Sequence, residues 1–272
     1  MSAVLASVAL IASALFGFSF IPTSPDSCTV AFLDVGQGDA IFIESTDGSQ
    51  MLIDGGVNQS VLRELPKVMG PFDRSIDVVL ATHPDQDHIG GLPFVLDRYQ
   101  VSAIVGTQLR GPSSAYRAFR EGSEAEQVPL VVATRGTVIS LGADAQFEIL
   151  YPDRPVSSLE TNESSIVGKL TCGATTYMVT GDAPAWVERY LLSKDGERLK
   201  SDVLKAGHHG SKTSTAPEFV QMVDPDVAII SAGKDNRYGH PSDEVIETLL
   251  NNQIIIRSTA EEGTIIFHDT PK

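Results

Sequence analysis

Basic residues are in short supply. Twenty Lys and Arg stand against 35 Asp and Glu, a formal net charge of −15. Nonspecific nucleic-acid binding rests on Lys and Arg neutralising phosphates, so this balance excludes a protein that coats DNA or RNA. It leaves room for an enzyme that handles phosphates through metal ions. Cysteine is scarcer still, with Cys28 and Cys172 alone. Two thiols exclude a disulfide scaffold and a Cys-rich zinc module. No Gly-x-Ser-x-Gly occurs, so there is no serine nucleophile elbow. The Gly-rich stretch Asp34-Val35-Gly36-Gln37-Gly38-Asp39 lacks the Gly-Lys-Ser/Thr ending of a phosphate loop, and reads as a tight turn packed beneath a site. What remains is globular in composition, with 42% hydrophobic and 20% charged residues. A chain of 272 residues suits one large domain or two small ones, with a sizeable core either way.

The first 21 residues contain no Asp, Glu, Lys or Arg, and the run breaks at Pro22 and Pro25. Its length is about that of a bilayer-spanning helix. A secretory signal peptide without a basic start, a transmembrane anchor and a buried core helix are the three readings. The first two make the chain membrane-associated or exported, with the rest outside the cytoplasm. In an oxidising compartment Cys28 and Cys172 are free to pair, which sequence alone leaves open. Residues 22–27 read as a linker and 28–272 as the folded domain.

Beyond Cys28, short β-rich runs alternate with helical patterns. Strands are expected at Cys28–Leu33, Ala40–Glu44, Met51–Ile53, Val78–Ala81, Val101–Val105 and at several later runs, with hairpin turns such as Thr46-Asp47-Gly48-Ser49 between some of them. Helices are expected at Val57–Val68, Leu92–Tyr99, Ala183–Leu192, Pro217–Met222 and Ser242–Leu250. Hairpins interleaved with helices predict an α/β chain with two sheets and helices outside, in place of one doubly wound sheet.

Five of the six histidines follow strand-like runs, in loops that also carry carboxylates. The densest segment is His83-Pro84-Asp85-Gln86-Asp87-His88-Ile89-Gly90-Gly91. His83 and Asp85 are two apart, so an extended backbone points both to one side. Adjacent Asp87 and His88 diverge, so one short loop can feed two neighbouring metal ions. Asp182 follows another strand; it is either a bridging carboxylate or a plain helix N-cap. His208-His209-Gly210-Ser211-Lys212 ends a third strand with two imidazoles, space for a substrate and a positive charge. Asn236-Arg237-Tyr238-Gly239-His240-Pro241 lies between a strand and a helix. Asp54, at the end of a strand, is placed to orient a ligand histidine from behind. His268 has no companions and reads as structural.

These residues resemble a known family. His83-Pro84-Asp85-Gln86-Asp87-His88 is similar to the His-x-Asp-x-Asp-His variant of the metallo-β-lactamase superfamily motif, with Asp85 in place of the usual second histidine. Phe32–Ala40, Leu52–Gly56, Asn162–Val167, Thr180–Asp182, His208–Ser211 and Tyr238–Pro241, in that order, resemble the soluble domain of the ComEC competence proteins, which bacteria use to import DNA. The resemblance implies a four-layer αββα sandwich with the site at the sheet edges, and two divalent metal ions. It implies His83, Asp85, Asp87, His88 and Asp182 as ligands, completed by a late histidine. His208 is preferred there, with His209 and His240 as proton-transfer candidates. The superfamily's middle histidine ligand is missing; Asn162-Glu163-Ser164-Ser165 stands in its place.

A two-metal hydrolase of phosphodiesters follows, with single-stranded DNA as substrate and a membrane channel component of a DNA uptake system as partner. Asp87 and Asp182 hold metal and orient the nucleophile, and His209 or His240 protonates the leaving group. Ser211, Lys212, Arg237 and Tyr238 meet the substrate. Asp85 in place of an imidazole makes the first site harder, so Mn²⁺ suits it as well as Zn²⁺. The competing readings are hydrolysis of another ester, a lactone or a cyclic nucleotide, and a domain that only binds metal or DNA. From Ser201 to His240, Lys205, Lys212, Lys234 and Arg237 stand against Asp202, Glu218, Asp224, Asp226 and Asp235. Intrinsic affinity for DNA is therefore expected to be weak.

Overall fold

The computed structural model describes residues 26–108 and 111–269. The apolar run at 1–21 and most of the linker lie outside them. Among the described residues no helix is long and apolar enough to cross a membrane.

Two seven-stranded mixed sheets form the frame. The first holds β1 (Cys28–Phe32), β2 (Ile41–Glu44), β3 (Gln50–Ile53), β4 (Ser75–Ala81), β5 (Gln100–Gly106), β6 (Leu130–Val132) and the last strand, β14 (Ile265–Asp269), in the order β14-β1-β2-β3-β4-β5-β6. The second holds β7 (Val138–Leu141), β8 (Ala145–Tyr151), β9 (Val167–Cys172), β10 (Thr175–Val179), β11 (Val203–Lys205), β12 (Val227–Ile230) and β13 (Ile255–Ser258), in the order β13-β12-β11-β10-β9-β8-β7. In each sheet antiparallel hairpins give way to parallel neighbours: β3 to β6 in the first, β10 to β13 in the second. Parallel strands need crossovers, and helices supply most of them.

Three apolar clusters explain the layering. Strand side chains alternate between faces. In β1, Cys28, Val30 and Phe32 enter the cluster between the sheets, where they meet Phe147, Leu170 and Tyr177. Ala31, with Leu33 just beyond the strand, faces the helices α1 (Val61–Val68), α3 (Leu92–Arg98) and α4 (Ser114–Ala125) through Leu65, Leu92 and Phe119. The second sheet is covered on its outer face by α5 (Ala185–Asp195), α6 (Pro217–Val223) and α7 (Asp243–Asn251), through Val187, Phe219 and Leu249. α2 is the short turn Gln86–Ile89. Each fully buried Phe or Leu contributes about 1.5–3 kcal/mol. Helices lie on both outer faces, as expected from the sequence. α1 starts later than expected, because the Asn58 side chain accepts the Ser60 N–H (2.8 Å) and holds the chain in a turn first.

Cys28 and Cys172 form a disulfide across the two sheets, with both residues fully buried. β1 leaves Cys28 toward the Asp34–Asp39 turn, and β9 reaches Cys172 from a start where the Ile166 N–H bonds the Thr82 carbonyl (3.0 Å). The bond therefore pins the end of the sandwich away from the histidine loops.

Candidate metal centre

The histidine loops all follow carboxyl ends of the parallel strands. His83 comes two residues after β4, Asp54 directly after β3, Asp182 after β10, and His208 and His209 after β11. The first sheet thus brings His83, Asp85, Asp87 and His88, and the second brings Asp182, His208 and His209.

Asp182 is the meeting point. Its Oδ1 lies 3.1 Å from His88 Nε2, and its Oδ2 lies 3.8 Å from His83 Nε2, 3.6 Å from His208 Nε2 and 3.7 Å from His209 Nε2. His83 Nε2 is also 3.8 Å from Asp85 Oδ2, and His209 Nε2 is 3.3 Å from Asp87 Oδ2. The N-cap reading of Asp182 does not hold, since Pro184 occupies that position in α5.

Three of the rings share one arrangement. Each has Nδ1 engaged by the protein and Nε2 turned inward. Asp54, fully buried, accepts the Thr82 N–H (2.8 Å) and the Thr82 hydroxyl (2.6 Å). That hydroxyl, having donated its proton, accepts from His83 Nδ1 (3.1 Å). Asp54 Oδ2 also accepts from His88 Nδ1 (2.7 Å). His209 Nδ1 donates to the Ser231 carbonyl (2.9 Å). One carboxylate therefore fixes the tautomer and direction of two rings, and a backbone carbonyl fixes the third.

The inward atoms are orphans. His83 Nε2, His88 Nε2, His209 Nε2 and Asp182 Oδ1 are buried without a hydrogen-bond partner. Buried polar atoms in that state are costly. Donors on a tetrahedral zinc ion lie about 3.4 Å apart, given metal–ligand distances near 2.1 Å. The gaps around Asp182 match that spacing, and imidazole with carboxylate is the donor set of Zn²⁺ and of harder divalent ions. The residues fit a metal centre. Asp39, His88, Asp182 and His209 each bring a donor atom within 4.8 Å of the other three, with Asp39 on the Nδ1 side of His209.

Electrostatics without a cation show the same demand. Burial pushes the Asp182 carboxyl up, but the His88 and His209 rings more than offset this and hold it well below the usual range. Burial pushes His209 down, yet Asp182 and Asp39 lift it to about 9. Burial and the nearby His88 ring press His83 down to about 3, leaving a neutral imidazole.

The loop carrying His208 and His209 is strained and held. Both residues have left-handed backbones, at φ 49° and 56°, a region costly for side chains with a Cβ. The His208 N–H bonds the Gly181 carbonyl (3.1 Å), which ties this loop to the Asp182 turn. Glu188, buried in α5, accepts the N–H groups of Thr215 (2.7 Å) and Ala216 (2.8 Å) at the loop's far end. Burial pushes the Glu188 carboxyl up to about 7 despite those two bonds. A carboxyl raised on folding favours the fold most below its unfolded value near 4.5, and stability falls as pH rises toward 7. Glu188→Gln should flatten that slope. Urea denaturation between pH 4.5 and 7.5 should show the wild type losing about 3 kcal/mol more than the variant; parallel curves would refute the assignment.

The structure also places the remaining sequence candidates. Asp85, partly exposed, accepts the Thr161 hydroxyl (3.0 Å). His208 is partly exposed, 3.0 Å from the Thr213 hydroxyl and 3.5 Å from the Asn162 amide, so Asn162 does stand beside the site. His240 packs against His208, with ring centroids 5.6 Å apart, and Tyr238 stacks on His240. Arg237 lies over the Tyr238 ring, 5.0 Å from its centroid. Lys212 is exposed. Ser211 is buried and paired with Thr213 (3.0 Å), so it shapes the loop. His268 sits on β14 beside Thr29, away from the cluster. The Gly-rich turn packs beneath the site as expected: a Cβ on Gly38 would lie 2.0 Å from the Asp87 carbonyl oxygen. Sequence reasoning missed the roles of Asp39, which sits in the Gly-rich turn, and of Lys205, which counts there only toward the charge balance; a carboxylate and an ammonium beside apolar runs were the available signal.

Residues 33–234 match the family model of the metallo-beta-lactamase superfamily. The chain belongs to this superfamily. It is 34% identical over 261 residues to ComE operon protein 3 of Bacillus subtilis (strain 168), covering 87% of this chain and 32% of that protein. It is 28% identical over 244 residues to Competence protein ComA of Neisseria gonorrhoeae, covering 89% and 32%. The chain thus spans about a third of the length of these relatives. Both resemblances read from the motifs are borne out. Among solved structures, CmlA, a diiron beta-hydroxylase from Streptomyces venezuelae, shares the fold at TM-score 0.59 and 15% identity, over 90% of this chain and 54% of that one. A superfamily fold that also hosts a hydroxylase leaves the chemistry to the site.

Proposed function

We propose that this superfamily member is a metal-dependent phosphodiesterase that cleaves single-stranded DNA in connection with DNA uptake. The observation that carries it is the set of inward, unpartnered Nε2 atoms of His83, His88 and His209 around the Asp182 carboxylate, with Asp85 and Asp87 beside them. His83, Asp85 and Asp182 would hold one divalent ion, and Asp87, His88, Asp182 and His209 a second, either Zn²⁺ or Mn²⁺. When bound, the pair supplies positive charge and Lewis acidity at a phosphoryl group.

We redistribute the histidine roles according to their burial and direction. His209 is buried and aimed at Asp87 and Asp182, so we assign it to the metal. His208 and His240 sit on the open side. Burial and the nearby His208 ring push His240 below the usual imidazole range, and His208 is the ring of the two that lies within 3.6 Å of Asp182. We assign donation to the leaving oxygen to His208, with His240 backing it. Lys212 and Arg237 are the cations available for phosphate, and Tyr238 offers a ring to a base. The names of the competence relatives support a DNA substrate, and the disulfide supports residence of the domain outside the cytoplasm, at a membrane or exported. With so few cations, contact with DNA should be weak and salt-sensitive, which suits delivery by a membrane channel component.

The full chain should cleave single-stranded DNA when supplied with Zn²⁺ or Mn²⁺, and Asp87→Ala should lose at least about a hundredfold in rate. No cleavage with either metal, or cleavage undiminished in the variant, would refute this reading. A parallel panel of cyclic nucleotides, lactones and simple esters identifies the substrate class in that event.

A further inference from the structure

Lys205 is fully buried, which is costly for an ammonium group unless it is paired. Its Nζ lies 2.9 Å from Asp39 Oδ2 and donates to the Ala206 carbonyl at 2.9 Å. Asp39 is 2% exposed, and its other oxygen, Oδ1, has no hydrogen-bond partner and lies 3.3 Å from His209 Nδ1. That is the back of the ring whose Nε2 faces Asp87 and Asp182. Asp39 is also fixed through its backbone: its N–H bonds the Asp87 carbonyl (3.2 Å), and its carbonyl accepts the Gly56 N–H (2.8 Å). It therefore moves with the Asp87 turn of the first sheet. Lys205 ends β11 of the second sheet, three residues before His208.

We propose that the Lys205–Asp39 pair is a positioning device that sets the distance between the two halves of the metal centre. The proposal rests on the metal-centre reading above and is independent of the substrate. A buried ion pair adds little net stability compared with an apolar pair of similar size, and its best-attested use is to fix register. Register is what this site requires, since half of its donors come from each sheet. The disulfide ties the sheets only at the far end. At the near end the pair is joined by neutral-donor ties: the Gly233 N–H to the Gln37 side chain (3.1 Å), the Ile166 N–H to the Thr82 carbonyl (3.0 Å) and the Thr161 hydroxyl to Asp85 (3.0 Å). Lys205–Asp39 is the one Lys–carboxylate pair between the halves among the described residues. Asp39 Oδ1 also lies 3.3 Å from His209 Nδ1, so the clasp places a negative charge behind the ring that the Ser231 carbonyl orients, while it spaces the sheets.

The test is titration of the full chain with Co²⁺, followed by its visible absorption bands, alongside thermal denaturation. Lys205→Met should weaken Co²⁺ binding by about ten- to a hundredfold and alter band intensity, as loss of an orienting partner does. Adding Asp39→Asn should restore thermal stability, because no unpaired charge remains, while Co²⁺ affinity stays low. Lys205→Arg should recover part of the affinity. A double variant that regains wild-type affinity and bands would show that the pair is only structural and overturn the proposal, as would wild-type affinity in Lys205→Met. If Lys205→Met fails to fold, the double variant decides alone by the same readout. A wild type that binds no Co²⁺ would overturn the metal-centre reading and this proposal together.

Discussion

Asp182→Asn should leave a folded protein that has lost at least about a hundredfold in metal affinity and about a thousandfold in turnover. The change is nearly isosteric and removes one charge. Asp182 caps no helix, and its backbone N–H bonds the Ser165 hydroxyl (3.2 Å) regardless of the side chain. The loss falls on the centre itself, because four Nε2 atoms converge on this carboxylate within 3.1–3.8 Å. An amide offers one neutral oxygen and a competing donor in its place. In the metal-free protein the substitution also removes the largest attraction lifting His209, so that ring should titrate lower. Elemental analysis after metal loading, with circular dichroism as the folding control, checks the result. Full metal occupancy in Asp182→Asn would show that the carboxylate is not a ligand.

Reduction of the Cys28–Cys172 bond should have the largest effect on stability. The bond closes a span of 144 residues, for which the chain-entropy treatment gives about 5 kcal/mol, while native disulfides more often contribute 2–4 kcal/mol. Reductant is a better probe than alanine substitution, since both sulfur atoms are in the inter-sheet core and truncation would add a cavity cost. Because both residues are fully buried, reduction should wait on unfolding, so the effect should emerge slowly in native buffer and at once in urea. Metal content of the still-folded fraction should be unchanged, as the bond lies at the end away from the histidine loops. A urea midpoint that does not move on reduction would refute this.

The parts of the site legible in the sequence are those carried by one short segment. His83, Asp85, Asp87 and His88 sit within six residues after an apolar strand, so their convergence needed no knowledge of the fold. Asp182 was ambiguous, because an Asp before a helix is equally well a cap, and only the chain path shows the cap position passing to Pro184. The order of His208 and His209 was not legible at all. Which ring faces inward depends on two successive left-handed residues, and nothing in a His-His pair signals that. Asp39 and Lys205 were missed because each is half of a contact made across two sheets. The strands and outer helices followed from periodicity, since alternation in β1 and the apolar stripes of the helices are local properties.

The pairing of the last strand with the first has a consequence for how the protein is made. β14 lies against β1 from Cys28↔Asp269 to Phe32↔Ile265, and Ile265 belongs to the inter-sheet core. During synthesis the His83–His88 donors emerge early, Asp182 and His209 much later, and the strand that seals the first sheet later still. A ribosome-bound chain can present the early donors but not the carboxylate and ring that join them. The complete donor set is thereby assembled only after strands of both sheets have been synthesised, so the candidate centre forms as a product of the finished fold.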